Sequence, residues 1–110
     1  MICDRWDVVA VPFPFSDQPQ TKRRPALVLS AGYFNRAGHS VYAMITTKGH
    51  RPWPGDTEIQ DLEAAGLPRP CIVRLKLFTL DNRLVLERKG RLAPLDTQRV
   101  SSEMMQVLGV

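Results

Sequence analysis

The sequence predicts a mainly β domain with a C-terminal helix, curled into a small, partly open barrel. Three observations carry this reading. Short apolar and β-branched runs recur along the chain, with nine prolines and seven glycines scattered between them as punctuation. No helical pattern separates those runs, which argues against parallel strands joined by crossover helices. Only the last stretch repeats at helical spacing. The 110 residues make one domain, 1–110, long enough for a single core.

The elements follow in order. Asp7–Val11 reads as a first strand, ended by Pro12 and Pro14 because proline has no N–H for a ladder. Phe13–Arg24 is then a polar loop, about twice the usual connection length. Pro25–Ser30 is apolar on both faces and reads as a central strand. Ser40–Thr46, β-branched and aromatic, is a third strand, and Thr47–Gly55 is a second irregular loop. Thr57–Ile59 adds a short strand, and Asp61–Ala65 a helical turn that Gly66 stops. Cys71–Leu77 and Arg83–Glu87 are further strands, giving about five to seven in all. The helix is Asp96–Leu108, with Asp96 as its N-cap after Pro94 and Gly109 at its end. Val100, Met104, Val107 and Leu108 form one apolar stripe for packing on the sheet.

Apolar residues make up 44% and charged residues 24% of the chain, ordinary values for a soluble globular protein. The net charge of +4 is modest, but its distribution is uneven. Between Gln18 and Gly55 there is no acid, while Lys22, Arg23, Arg24, Arg36, Lys48 and Arg51 fall there with both histidines, His39 and His50. Lys22-Arg23-Arg24-Pro25 leads straight into the apolar Ala26–Leu29. A basic cluster at the mouth of a buried strand is held in place and suits phosphate; a solvated basic face is the plain alternative. No apolar leader or run of ~20 apolar residues is present, so a cytoplasmic protein without a membrane segment is expected. Cys3 and Cys71 have no CxxC spacing, the histidines lack ligand spacing, and no glycine-rich phosphate cradle exists. Neither a metal nor a cofactor is expected.

Phosphodiester chemistry on RNA uses what is present. RNA carries its own nucleophile, the 2′-hydroxyl. A protein need only align it, move protons and stabilise charge on the phosphorus oxygens, a task the arginine fork suits. Arg24 at the start of the second strand is such an arginine, and Thr46 at the end of the third is a hydroxyl that can position the attacking group. If those strands are neighbours, both side chains meet at one rim. Each also has a plainer reading: Arg24 as a solvated charge, Thr46 as a strand threonine bonded to a backbone carbonyl. His39 and His50 read either as an acid–base pair or as loop residues that tune binding. Trp53, beside His50 and Arg51, reads as a base-stacking platform or as a tryptophan folded back on the barrel.

The chain resembles the MazF/PemK toxins. The resemblance is carried by Asp7-Val8-Val9, Pro12-Phe13-Pro14-Phe15-Ser16-Asp17, Lys22-Arg23-Arg24-Pro25-Ala26-Leu27-Val28-Leu29-Ser30 and Ile45-Thr46. It continues through Ala64-Ala65-Gly66-Leu67, Val73-Arg74, Lys76-Leu77-Phe78-Thr79-Leu80-Asp81, Gly90-Arg91-Leu92 and the terminal helix. It implies an SH3-like barrel of the PemK/CcdB toxin type, a homodimer, and the toxin of a type II toxin–antitoxin system. It implies a metal-independent, sequence-specific endoribonuclease, or mRNA interferase, cutting single-stranded RNA (mRNA, tRNA or rRNA) to a 2′,3′-cyclic phosphate and a 5′-hydroxyl. The family's essential arginine and threonine map onto Arg24 and Thr46. Lys22, Arg23, Thr47, Lys48, His50, Arg51, Trp53, Arg74 and Lys76 are the expected RNA-binding residues. The expected partner is an acidic, partly disordered antitoxin. Two departures stand out: Trp6 where the family usually has Gly, and Lys76 where PemK-like members have an Asp two residues after the matching arginine. The alternatives are a CcdB-like gyrase poison and a non-catalytic RNA-binding module. The gyrase toxins depend on C-terminal residues including a Trp, and this chain ends Gln106-Val107-Leu108-Gly109-Val110 without one.

Overall fold

The computed structural model describes residues 1–13, 22–49 and 51–110. Six strands form one antiparallel sheet: β1 (Asp7–Phe13), β2 (Lys22–Val28), β3 (His39–Thr47), β4 (Thr57–Glu58), β5 (Cys71–Asp81) and β6 (Glu87–Arg91), in the order β4-β5-β3-β2-β1-β6. The short helices α1 (Gly32–Asn35) and α2 (Leu62–Ala65) interrupt it, and α3 (Pro94–Leu108) ends the chain. Among the described residues every pairing is antiparallel and no crossover helix joins two strands. The result is a curled half-barrel with a C-terminal helix. Among the described residues, no helix is long and apolar enough to cross a membrane.

Apolar residues alternate to both sides of the sheet. Val8, Leu27, Ala43, Ile45, Val73 and Leu75 form one core with Ala65 of α2 and Val100 of α3. Their neighbours Val9, Val11, Ala26, Val28, Tyr42 and Leu80 form a second core with Cys3 and Val85. A strand with period 2 and two buried faces gives this arrangement.

Some elements differ from the sequence expectation. β1 continues through Pro12 to Phe13, because Ala10 turns its carbonyl to the β6 side, where it accepts from Leu86 N–H. Pro12, two residues on, faces the same edge, where β6 has ended, so its missing N–H leaves no ladder bond unmade. Lys22–Arg24 belong to β2 rather than to the loop before it. The strand expected at Arg83–Glu87 lies instead at Glu87–Arg91; Asn82–Leu84 is a 3-10 turn capped by the Asp81 carboxylate. Buried Asn82 fixes that turn by donating to the Asn35 carbonyl (2.6 Å) and accepting from the Ser40 hydroxyl (2.7 Å).

α2 ends as expected, on Gly66 with φ +70°, and a Cβ at Gly66 would lie 2.1 Å from the Lys89 carbonyl oxygen. α3 starts at Pro94, since proline is pre-shaped for a first helical position, and its N-cap is Ala93, not Asp96. Buried Asp96 accepts instead from the N–H groups of Gln60 (3.1 Å) and Asp61 (3.0 Å) and from Arg99 (3.2 Å), tying the helix to the segment before α2. Val100 and Met104 pack inward, whereas Val107 and Leu108 at the stripe's end stay about half exposed.

Trp6 has φ +76°, alone among the described non-glycine residues in being positive. The chain thus holds a glycine-type conformation on a tryptophan. Such a conformation costs roughly 1–2 kcal/mol. The indole packs against the first core, with the Arg5 guanidinium 4.5 Å above its ring.

In β5 the register against β3 passes from Ala43↔Leu77 to Met44↔Arg74, so Leu75 and Lys76 have no opposite residue. This bulge bends the strand.

Candidate active site

The site begins with a gap in the sheet. Leu29 N–H bonds the Val41 carbonyl, so odd-numbered residues of β2 face β3. Pro25 therefore faces β3 with no N–H to give, and the β2–β3 ladder stops at Ala26↔Met44. Beyond it the strands part, and a cavity of about 240 Å³ opens, lined by Val11, Phe13, Arg24, Pro25, Met44, Ile45, Thr46, Thr47 and Phe78. Strands two and three are neighbours, as the sequence argument required, and the β2–β3 register, continued two residues past its last pair, sets Arg24 opposite Thr46. Both lie on the face of the second core, where Phe78 of the cleft wall stacks on Tyr42 at 5.3 Å.

Arg24 is exposed, and among the described residues no carboxylate pairs with it. Thr46 is half-buried, and no carbonyl among the described residues receives its hydroxyl. A guanidinium and a hydroxyl on either side of an apolar cleft suit an anion whose oxygens need donors while its attached rings need dry walls.

The stretch that lacks acids in sequence does not lack them in space. Glu87 pairs with Arg23 at 3.0 Å and Glu58 with Lys48 at 3.1 Å. Arg74 shares the site face, opposite Met44, but its guanidinium is engaged: it donates to both oxygens of Asp56 (3.1 and 2.9 Å) and to the Arg51 carbonyl (2.8 Å). Burial alone would raise the Asp56 carboxyl. The Arg74 fork and the Trp53 N–H outweigh it and hold the group below the usual carboxylate range. Lys76 sits 4.3 Å above the ring of Trp53. Lys22 is exposed opposite Phe13, and Thr47 lines the cleft.

His39 opens β3, at the opposite end from Thr46 and roughly 20 Å or more away along the strand. His50 lies outside the described residues. Burial pushes both the Cys3 and Cys71 thiols up, the opposite of an activated nucleophile. Among the described residues, no three His, Cys, Asp or Glu side chains gather to hold a metal. The cleft walls Val11, Met44 and Phe78 carry no functional signal in the sequence, and neither does Asp56, which pairs with Arg74 18 residues on.

A family profile described as PemK-like, MazF-like toxin of type II toxin–antitoxin system matches residues 4–108. The chain belongs to this family. MazF from Deinococcus radiodurans superposes with a TM-score of 0.76 at 22% identity, covering 100% of this chain and 99% of that one. An endoribonuclease in complex with its cognate antitoxin from a Mycobacterial species gives 0.76 at 16% identity, over 98% and 96% of the two chains. The Mycobacterium tuberculosis toxin MazF-mt6 gives 0.75 at 16% identity, over 94% and 97%. At these identities the likeness is one of fold. No curated protein sequence matches the chain.

Proposed function

We propose that this chain is a metal-independent endoribonuclease that cuts single-stranded RNA at specific sequences. The observation that carries the reading is the cleft itself: Arg24, without an acidic partner among the described residues, and Thr46 line one gap in the sheet. The Arg24 fork binds two oxygens of the scissile phosphate and stabilises the charge that grows on them as the 2′-oxygen attacks phosphorus. The Thr46 hydroxyl holds the reacting ribose in line. The new O2′–P bond replaces the P–O5′ bond, leaving a 2′,3′-cyclic phosphate and a 5′-hydroxyl. The 2′ proton passes to solvent and water protonates the leaving oxygen. Phe13, Met44 and Phe78 give the flanking base an apolar wall. Lys22 and Arg51 supply positive charge around the cleft, Arg23 and Lys48 exchange their carboxylate partners for phosphate, and Trp53 with Lys76 supplies an aromatic surface.

The same reading makes the chain a cytoplasmic homodimer whose acidic antitoxin covers this basic cleft; complexes of MazE with MazF are known for the Deinococcus protein. The purified chain should cleave single-stranded RNA in excess EDTA, with products ending in a cyclic phosphate. Arg24→Ala should lose about 10²–10³-fold in rate, the usual cost of one charge-stabilising donor. A requirement for Mg²⁺, or full activity of the Arg24 variant, would overturn the reading. Trapped gyrase–DNA complexes without RNA loss would point to the gyrase-poison alternative instead.

A further inference from the structure

We propose that Arg74 is a positioning residue that acts through Asp56: it fixes the turn Trp53–Asp56 so that Trp53 offers a rigid stacking surface to an RNA base beside the cleft. The proposal rests on the ribonuclease reading above. Three independent constraints make the turn rigid. Pro54 and Gly55 occupy its two central positions, Gly55 has φ +85°, and Asp56 N–H closes it on the Trp53 carbonyl at 3.1 Å. Proline followed by a left-handed glycine is the pattern of a type II turn. The Asp56 carboxylate then binds in two directions, to the Trp53 N–H at 3.0 Å and to the Arg74 fork. Finally, Gly55 is pressed against Val107 of α3 and Leu75 of β5, where a Cβ would approach to 2.9 and 3.1 Å.

Arg74 completes the set by holding the Arg51 carbonyl as well, so one guanidinium spans both ends of the segment. Three of its five N–H donors are engaged by Asp56 and Arg51, and only 11% of its side chain is exposed. Above the turn, Trp53 remains 42% exposed, with the Lys76 ammonium over its ring. An aromatic ring and a cation held together on a fixed backbone suit an unstacked base with its phosphate. Arg74 stands opposite Met44, a wall of the cleft, so this surface adjoins the scissile position and selects a neighbouring nucleotide.

The experiment compares the full chain with Arg74→Gln, Asp56→Asn, the double variant and Trp53→Ala, on a single-stranded oligoribonucleotide in EDTA and by end-mapping on a long RNA. A base stack contributes about 1–3 kcal/mol, or roughly 5- to 150-fold. Each single change should raise KM within that range, with the loss carried by KM rather than kcat. The double variant should be no worse than either single one, and all four should relax the cleavage pattern in the same way. A purely structural role would lower the melting temperature and leave the cleavage pattern intact. Should Arg74→Gln fail to fold, Asp56→Asn alone decides: an altered pattern supports the proposal, an unaltered one overturns it. A loss of kcat in Arg74→Gln with Asp56→Asn unaffected would place Arg74 on the phosphate and sink the proposal alone. Absence of cleavage by the unmodified chain would sink the ribonuclease reading and the proposal with it.

Discussion

Replacing Pro25 by valine should close the cleft. Pro25 faces β3 and cannot donate, and the ladder ends one residue before it. Valine brings an N–H directed at β3, and the partner in the continued register is Ile45. That new ladder bond contributes about 0.5–1.5 kcal/mol. Against it, the unfolded chain regains the freedom that proline removed, about 0.4–1 kcal/mol. The two nearly cancel, so stability should stay within ~1 kcal/mol and the melting temperature within ~8 °C. The effect on the site is larger. Fully paired strands lie ~4.8 Å apart, too close for a phosphate to enter between Arg24 and Thr46. Misplacement of reacting groups by an ångström costs up to ~100-fold, and RNA cleavage should fall by about that much. Amide exchange at residue 25 reports the new bond, a thermal melt reports stability, and initial rates report the site. A protected amide at residue 25 with an undiminished rate would refute the link between the proline gap and activity.

Further outcomes are expected elsewhere. Gly66→Ala places a Cβ 2.1 Å from a backbone oxygen at φ +70°, and urea unfolding should show a loss of about 2–5 kcal/mol with no change in the RNA sequence cut. Asp96→Ala leaves the Gln60 and Asp61 N–H groups without their acceptor and should cost about 2–4 kcal/mol in the same assay. The lowered Asp56 carboxyl stabilises the fold above the ordinary carboxylate value and releases as pH falls through its own lower value. The Trp53 fluorescence should therefore stay flat down to the usual carboxylate range and shift only below it. Asp81, held at about 2 by the Arg83 fork, should titrate at that acid pH by NMR, and Arg83→Ala should return it toward the ordinary range.

The elements with local signals were legible in the sequence. Gly66 stops α2 because glycine takes that φ without strain and leaves room for the Lys89 carbonyl, and the alternating runs of Val8–Val11 and Ala26–Val28 bury both sheet faces. β6 was not legible, since Glu-Arg-Lys-Gly-Arg carries no apolar pattern. It is a strand because its backbone completes the edge of β1, while Arg88 and Arg91 close on buried Asp7. α3 was legible except for its start, where proline geometry outranked the Asp96 cap. That Arg24 and Thr46 share one rim follows from strands two and three being neighbours, the condition set by the sequence, but Pro25 reads there only as part of a strand and not as the reason for the gap. The engagement of Arg74 by Asp56 was beyond reach, because a long-range ion pair leaves no local trace.

The bulge in β5 bends the strand without turning its side chains over. It inserts two residues, Leu75 and Lys76, between consecutive pairs. Because side chains alternate, an insertion of two leaves every later residue on its original face, whereas an insertion of one would exchange core and solvent along the rest of the strand. Leu77 stays level with Ala43, and Phe78 stays stacked on Tyr42. A bulge of two thus sets the strand's curvature and lifts Lys76 over Trp53, while Leu75 beside it stays in the first core and every later side chain keeps its face.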